Sequence, residues 1–391
     1  MKILCLCSTL DLREPPGITP AWWQIFKGLY EIGVEVIVVP YLGRSFDSLW
    51  WKSYNNPLYH LGKFTYNSIK FSNTLFKKNT NSKVKNLFIK NVSNFAINRI
   101  WRKHLDKILE KESNVDAALF IQVPLNQLSG IPSHIRKLFG ISVNYYDGDM
   151  PQTLPKFGGF AMNYYLDADL SEYDKFIINS IGAMKELKEL GANAVECLFW
   201  GVDPNIFDGL KTTRDIDVSF FGTNNKGREE WIKKMISIPS QKLLKSKFVN
   251  GTHLGYFTDA EILKSKIGHA SNAKLNSFLD YRKFCSRSKI NLNITRYPHS
   301  TYYASSTSRI FELASMGCCI VSNPCNGLKK WFNVGKEVLI TNNSKESIDL
   351  YKWLIDDKET RLKMGKRARK RVLKEHTHIH RAKHLLKYLR S

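Results

Sequence analysis

Residues 305–332 read "SSTSRIFELASMGCCIVSNPCNGLKKWF". A hydroxyl-rich loop runs into a segment with helical spacing. A small-residue turn ending in Gly317 follows, and then the apolar run "CCIVSNP" (318–324). Loop, helix, turn and buried strand, in that order, make half of a parallel α/β unit. Ser306, Thr307 or Ser308 can cap the helix. The open amides of such a start attract an anion, for example a diphosphate. Arg309 falls in the first turn, where a cation opposes the helix dipole unless an anion or an acidic partner answers it. Glu312, about one turn in, carries a carboxylate able to accept two ribose hydroxyls. The competing reading is an i, i+3 ion pair on a solvated helix face.

The same alternation extends in both directions. "KILCLCST" (2–9), the helical pattern "AWWQIFKGLYEIG" (21–33) and "VEVIVVPY" (34–41) predict a βαβ unit with a right-handed crossover. "DAALFIQV" (116–123), "ISVNYY" (141–146) and "KFIINS" (175–180) predict further strands. A second series comprises "IDVSFFGT" (216–223), "KINLNIT" (289–295), the 318–324 run and "EVLIT" (337–341), with helices from about 344 to the end. With 391 residues the chain exceeds the roughly 250–300 at which single cores stop growing. The expected organisation is an α/β domain over 1–172 with a basic, aromatic insert at about 42–115, a second α/β domain over 173–372, and a basic C-terminal helix at 373–391 packing back on the first domain. Ligands of open α/β sheets bind beyond the carboxyl ends of the strands, so a cleft between the two blocks is the expected site.

Composition narrows the function. Lys+Arg number 59 against 35 Asp+Glu, a net charge of +24. Residues 60–112 carry 12 basic against 3 acidic side chains, and residues 360–391 carry 12 against 1. Such a field attracts phosphates, anionic lipid headgroups or nucleic acid, although solvated helix faces would show the same bias. Trp50, Trp51, Tyr54 and Tyr59 with Lys63, Lys70, Lys77 and Lys78 fit an interfacial patch. No apolar run approaches the ~20 residues of a membrane span. The N-terminus reads as a first strand and not as a secretory leader. Seven irregularly spaced cysteines indicate reduced thiols and a cytoplasmic location. Neither G-x-G-x-x-G after the first strand nor G-x-x-x-x-G-K-[ST] is present, which argues against a dinucleotide dehydrogenase or a P-loop NTPase.

"NYYDGDMPQTLP" (144–155) places Asp147 and Asp149 one residue apart at a strand end. That spacing suits a divalent metal on a diphosphate. It also suits acceptor binding or a general base, or a plain Asp-Gly turn. The loop after the first strand, with Asp11, Arg13, Gly17 and Thr19, should face the cleft from the same side.

The 305–332 segment resembles the donor-binding part of GT-B glycosyltransferases, in particular the glycosyltransferase family 1-type, spore-maturation-protein-like group. The similarity rests on Arg309, Phe311, Glu312, "LASMG" and "CCIVSNP", and on Phe332, Gly335 and Glu337 in "WFNVGKEVLI". "WGVDPNIF" (200–207) and the Glu-His-Thr turn of the C-terminal helices extend it. The resemblance implies a GT-B fold, two Rossmann-like domains with a cleft between them, and sugar transfer from a nucleotide-sugar donor without a metal or other cofactor. Glu312 would hold the ribose. Lys226 and Arg228 would neutralise the diphosphate, and Gly222 would let their loop approach it. The Glu-x7-Glu pattern of related retaining enzymes is broken, because Ala304 stands at its first position. His299, Ser306 and Thr307 are candidate replacements for that glutamate. Asp147 and Asp149 become acceptor-side residues, one of them a candidate base. The expected partners are a nucleotide sugar, a lipid-linked or surface glycan acceptor and the anionic inner membrane face. The alternatives are nucleic acid as acceptor, or a non-catalytic binding protein on the same scaffold.

Overall fold

The computed structural model describes residues 1–11, 21–59, 97–157, 164, 165, 167–222, 227–253, 268–275 and 277–391. Among them, two parallel sheets form the frame. The first contains β1 (Lys2–Thr9), β2 (Glu35–Leu42), β3 (Lys52–Ser53), β4 (Ala117–Ile121), β5 (Ser142–Asp147), β6 (Lys175–Ile178) and β7 (Val195–Cys197), in the order β3-β2-β1-β4-β5-β6-β7. The second contains β8 (Ile216–Phe221), β9 (Phe248–His253), β10 (Ser271–Leu275), β11 (Ser288–Asn293), β12 (Ile320–Ser322) and β13 (Leu339–Ile340), in the order β10-β9-β8-β11-β12-β13. β1 is central: Ile3 to Cys7 are fully buried and pair with β2 on one side and β4 on the other. A strand covered on both faces reads as a continuous apolar run, and "ILCLC" is one.

The helices are α1 (Ala21–Glu31), α2 (Asn98–Glu112), α3 (Ile131–Phe139) and α4 (Met184–Glu189) in the first domain. In the second they are α5 (Glu229–Ile232), α6 (Ile238–Lys242), α7 (Phe278–Ser286), α8 (Tyr297–Thr301), α9 (Ser308–Ser315), α10 (Ser344–Asp356), α11 (Lys358–Glu375) and α12 (His378–Arg390). The first turn of α1 carries two tryptophans that anchor the end of β1: Trp22 Nε1 donates to Thr9 O at 2.9 Å and Trp23 Nε1 to Leu10 O at 3.2 Å.

Two readings need correction. The domain boundary does not fall at 172/173, because β6 and β7 hydrogen-bond in sequence onto β5 and so carry the first sheet to Cys197. Trp51 is not interfacial: it is 4% exposed and packs among Trp23, Phe26 and Phe46. Tyr54 donates to Glu112, a buried carboxylate. Lys63, Lys70, Lys77 and Lys78 lie outside the described residues.

The chain crosses between domains twice. On the way out, Asp203 of the "GVDP" turn is fully buried and ion-paired with Lys27 of α1. On the way back, α12 lies along α1 so closely that a Cβ on Gly28 would stand 2.8 Å from His378 O. Its N-cap Thr377 bridges to Val202 beside the outgoing strand. His376, just before it, packs at a tilt against the rings of Phe311 and Phe332, and Arg381 holds its Nδ1 at 2.6 Å. These contacts join the two domains. No helix among the described residues is long and apolar enough to cross a membrane. The seven cysteines are all unbridged.

Candidate active site

The site forms where the strand ends of the two sheets meet. From the second domain, β8 ends at Phe221 with Gly222 following it, β11 leads into Arg296 and α8, and α9 begins at Ser308. From the first, β5 ends in the Asp-Gly-Asp stretch.

Arg309 is clamped. Its guanidinium lies 4.4 Å from the ring centre of Phe221 and 4.7 Å from that of Tyr281. Nη1 lies 3.5 Å from Glu312 Oε2, and Tyr281 OH donates to the same oxygen at 3.1 Å. The Arg309–Glu312 pair of the sequence therefore exists, but in a buried aromatic clamp and not on a solvated face, with Glu312 only 7% exposed. Burial opposes the charge of Arg309, and Tyr281 and Glu312 outweigh it and raise its pKa. Nη1 nonetheless makes no hydrogen bond. A planar cation stacked on two rings keeps its remaining donors in a fixed direction, which suits an anionic ligand.

Arg228 lies just before α5 and donates through Nε to Ile294 O at 2.9 Å. Burial, then the neighbouring charges of Arg296 and Arg309, pull its guanidinium down to about 9. The group stays cationic at neutral pH, and the downward pull records three like charges gathered in one place. Thr307 takes the N-cap position of α9 with extended backbone but makes no side-chain cap bond, so Ser308 opens a helix whose first amides keep their donor capacity. Gly222 is required locally, since a Cβ there would stand 2.7 Å from the Phe220 ring.

The two aspartates diverge. Asp147 is fully buried within the first domain. It accepts from Thr153 Oγ1 at 2.5 Å, from Tyr165 OH at 2.7 Å and from Asp149 N at 2.9 Å. Burial raises its pKa against those donors. It does not face the cleft and is not placed to act as a base, because its lone pairs already hold the turn. Gly148 is needed for the same packing: a Cβ there would overlap the ring of Trp200, whose Nε1 donates to Gly148 O at 2.8 Å. Asp149 turns the other way and crosses to the second domain. Its Oδ1 accepts from Arg296 Nη2 and meets His299 Nε2 at 3.1 Å. Burial would raise its pKa, but Arg296 and His299 outweigh burial and lower it. Asp149 Oδ2 has no hydrogen-bond partner. His299 is fully buried. Burial lowers its pKa against the pull of Asp149, and its Nδ1 meets Ser305 Oγ at 2.8 Å.

Three expectations change here. Ser306 does not reach a donor, since its fully buried hydroxyl accepts from Trp200 N at 2.9 Å and its backbone is tied to Asn179. Ala304, at the position of the missing glutamate, is fully buried with φ 46° against Gly327, so no side chain there would enter the cleft. His299 supports Asp149 from within the protein. Asp11 is buried at the end of β1. Lys226, Arg13, Gly17 and Thr19 lie outside the described residues. Arg296, Tyr281 and Phe221 are the additions. Arg296 carried a signal, a basic side chain directly after a predicted strand. The two rings carried none, because core aromatics look alike in sequence. No group of three or more metal-ligating side chains is gathered among the described residues.

Two parallel Rossmann-like sheets facing one another across a cationic cleft define the GT-B architecture. Residues 206–387 match the glycosyl transferase-like family model. No curated protein matches the chain in sequence. Solved structures match over its whole length. Sucrose-phosphate synthase from Thermosynechococcus elongatus aligns at 11% identity and TM-score 0.66, covering 100% of this chain and 98% of that one. HepE from Anabaena, in complex with UDP and glucose, aligns at 12% and 0.63 with both chains fully covered. A point mutant of BGT from T4 phage, in complex with UDP-glucose, aligns at 13% and 0.58, covering 100% and 99%. The fold is that of the GT-B glycosyltransferases, and the glycosyl transferase-like family match lies in its second half, over residues 206–387.

Proposed function

We propose that the protein transfers a sugar from a nucleoside diphosphate sugar to an acceptor hydroxyl. The observation that carries this reading is the group of Arg228, Arg296 and Arg309 around the start of α9, with the buried carboxylate of Glu312 beside it. In this reading the arginines and the α9 amides bind the diphosphate, Glu312 takes the ribose hydroxyls, and the acceptor enters from the side of Asp149. As the anomeric C–O bond breaks, charge builds on the leaving diphosphate. Cations held in a water-poor cleft stabilise that charge at the moment it develops, without a metal ion. HepE and BGT, both similar in fold, were solved with UDP or UDP-glucose, so UDP is the first nucleotide to test.

The acceptor is proposed to be a lipid-linked or surface glycan, worked on at the cytoplasmic face of the membrane. Support comes from the exposed face of α11, where Lys363, Lys366, Arg367, Lys370 and Lys374 line up near the exposed Leu362 and Leu373. Basic and apolar side chains on one helix face suit an anionic bilayer better than a nucleic-acid backbone. A panel of UDP, GDP, dTDP and CMP sugars, read by binding and by slow hydrolysis with and without EDTA, tests the donor assignment. Activity with at least one sugar diphosphate, unchanged by EDTA, is expected. Activity that needs Mn²⁺ would refute the metal-free mechanism. Sedimentation with liposomes against retention on DNA tests the acceptor side, and binding to DNA alone would overturn the membrane assignment.

A further inference from the structure

Asp149 occupies a singular place. It belongs to the first domain, yet its Oδ1 is held by Arg296 and His299 of the second. Arg296 lies among the guanidiniums that the proposed reading gives to the diphosphate. A carboxylate and a phosphate oxygen compete for the same guanidinium edge, since both accept from it in the same geometry. Two complementary atoms also lack hydrogen-bond partners: Oδ2 of Asp149, an acceptor, and Nη1 of Arg309, a donor. A buried polar atom without a hydrogen bond is costly, so Oδ2 is a position where a substrate atom would offset that cost, and Nη1, whose one partner is Glu312 at 3.5 Å, has donor capacity left for another.

We propose that Asp149 is an internal counter-ion which the donor diphosphate displaces from Arg296, and that the carboxylate so released is the base for the acceptor hydroxyl. The inference rests on the donor-site reading above. The diphosphate carries more charge than one carboxylate, and Arg228 and Arg309 add to its hold, so the exchange runs toward the bound donor. Once Arg296 turns to the diphosphate, Asp149 loses the cation that weakened it as a base. The step then balances. The acceptor O–H proton passes to Asp149 Oδ2, and the acceptor oxygen bonds to the anomeric carbon. The bond from that carbon to the diphosphate oxygen breaks, and its electron pair leaves with the nucleoside diphosphate. Attack comes from the face opposite the leaving group, so the configuration inverts. His299, backed by Ser305, is a positioning residue that keeps the freed carboxylate at the cleft.

The test compares UDP binding by the full chain, by Asp149→Asn and by Arg296→Gln, measured by calorimetry. Asp149→Asn removes the competitor and should bind UDP roughly ten-fold tighter, the scale of one partly buried ion pair. Its transfer rate should fall at least ~100-fold, as expected for loss of a general base. Arg296→Gln should bind UDP more weakly. A merely structural bridge would weaken UDP binding in both variants alike. Parallel losses, or unchanged affinity in Asp149→Asn, would overturn the displacement while leaving the donor site standing. Absence of UDP, GDP and dTDP binding in the parent chain would instead bring down the donor-site reading itself. Melting curves of both variants confirm that folded protein is being compared.

Discussion

Arg309 shows how far one side chain is specified by its surroundings. Its charge is legible in sequence, as is its place at a helix start. That it lies over both Phe221 and Tyr281, two rings in contact with each other, is not, because the rings come from β8 and α7, far apart in the chain. Arg309→Lys keeps the charge but loses both the stacking and the fork. Transfer efficiency should fall roughly 10- to 100-fold, read as kcat/KM for the best donor. Asp147 is the opposite case. The Asp-x-Asp spacing suggested that both carboxylates share a task, since period-two alternation would put them on one face, yet β5 ends at Asp147 and the turn at Gly148 sends them to different sides. Asp147→Ala leaves Thr153 and Tyr165 without their acceptor. It should cost about 2 kcal/mol in denaturant unfolding while the folded variant keeps its affinity for UDP.

Among elements, the strands that read clearly were those with unbroken apolar runs, β1, β2, β4, β5 and β8. β7, β9 and β10 escaped notice. "FVNGTH" and "SNAKL" are polar and short, and only pairing with β8 and with each other makes them strands. Propensity gives way to tertiary pairing in such cases. α11 meets the end of α9 through glycine: a Cβ on Gly365 would collide with the backbone carbonyl of Gly317. Gly365→Ala should therefore cost about 3 kcal/mol, as overpacking does, and lower Tm measurably in a thermal scan. The turn between α11 and α12 predicts a pH effect. Burial, then the charge of Arg381, holds His376 down at about 4. Its folded pKa lies below the ordinary histidine value near 6.5, so the unfolded chain binds the extra proton first. Stability from this residue is complete above about pH 6.5 and falls on acidification toward pH 4. Denaturant titrations at pH 7 and 5 should show a smaller loss in His376→Gln than in the parent chain.

For the whole molecule, two α/β blocks with a cleft were legible because parallel sheets leave a periodic apolar record, and the pairing of Arg309 with Glu312 was legible because the two are adjacent on one helix. The hinge was not. β6 and β7 belong to the first sheet although a boundary at 172/173 assigned them to the second domain, and the contacts of Asp203, Thr377 and α12 that join the halves span as many as 347 positions of the chain. The Asp149–Arg296 contact, which brings the two domains together at the active site, is likewise invisible to local pattern. In the proposed donor site, three arginines grouped at the α9 start bind the diphosphate. The most direct measurement is calorimetric titration of the parent chain and of Arg309→Ala with UDP and with UMP, in EDTA. UDP should bind the parent chain at least about ten-fold tighter than UMP, without a metal, and Arg309→Ala should lose this preference. Equal affinity for the two nucleotides, or a preference that survives in Arg309→Ala, would contradict it.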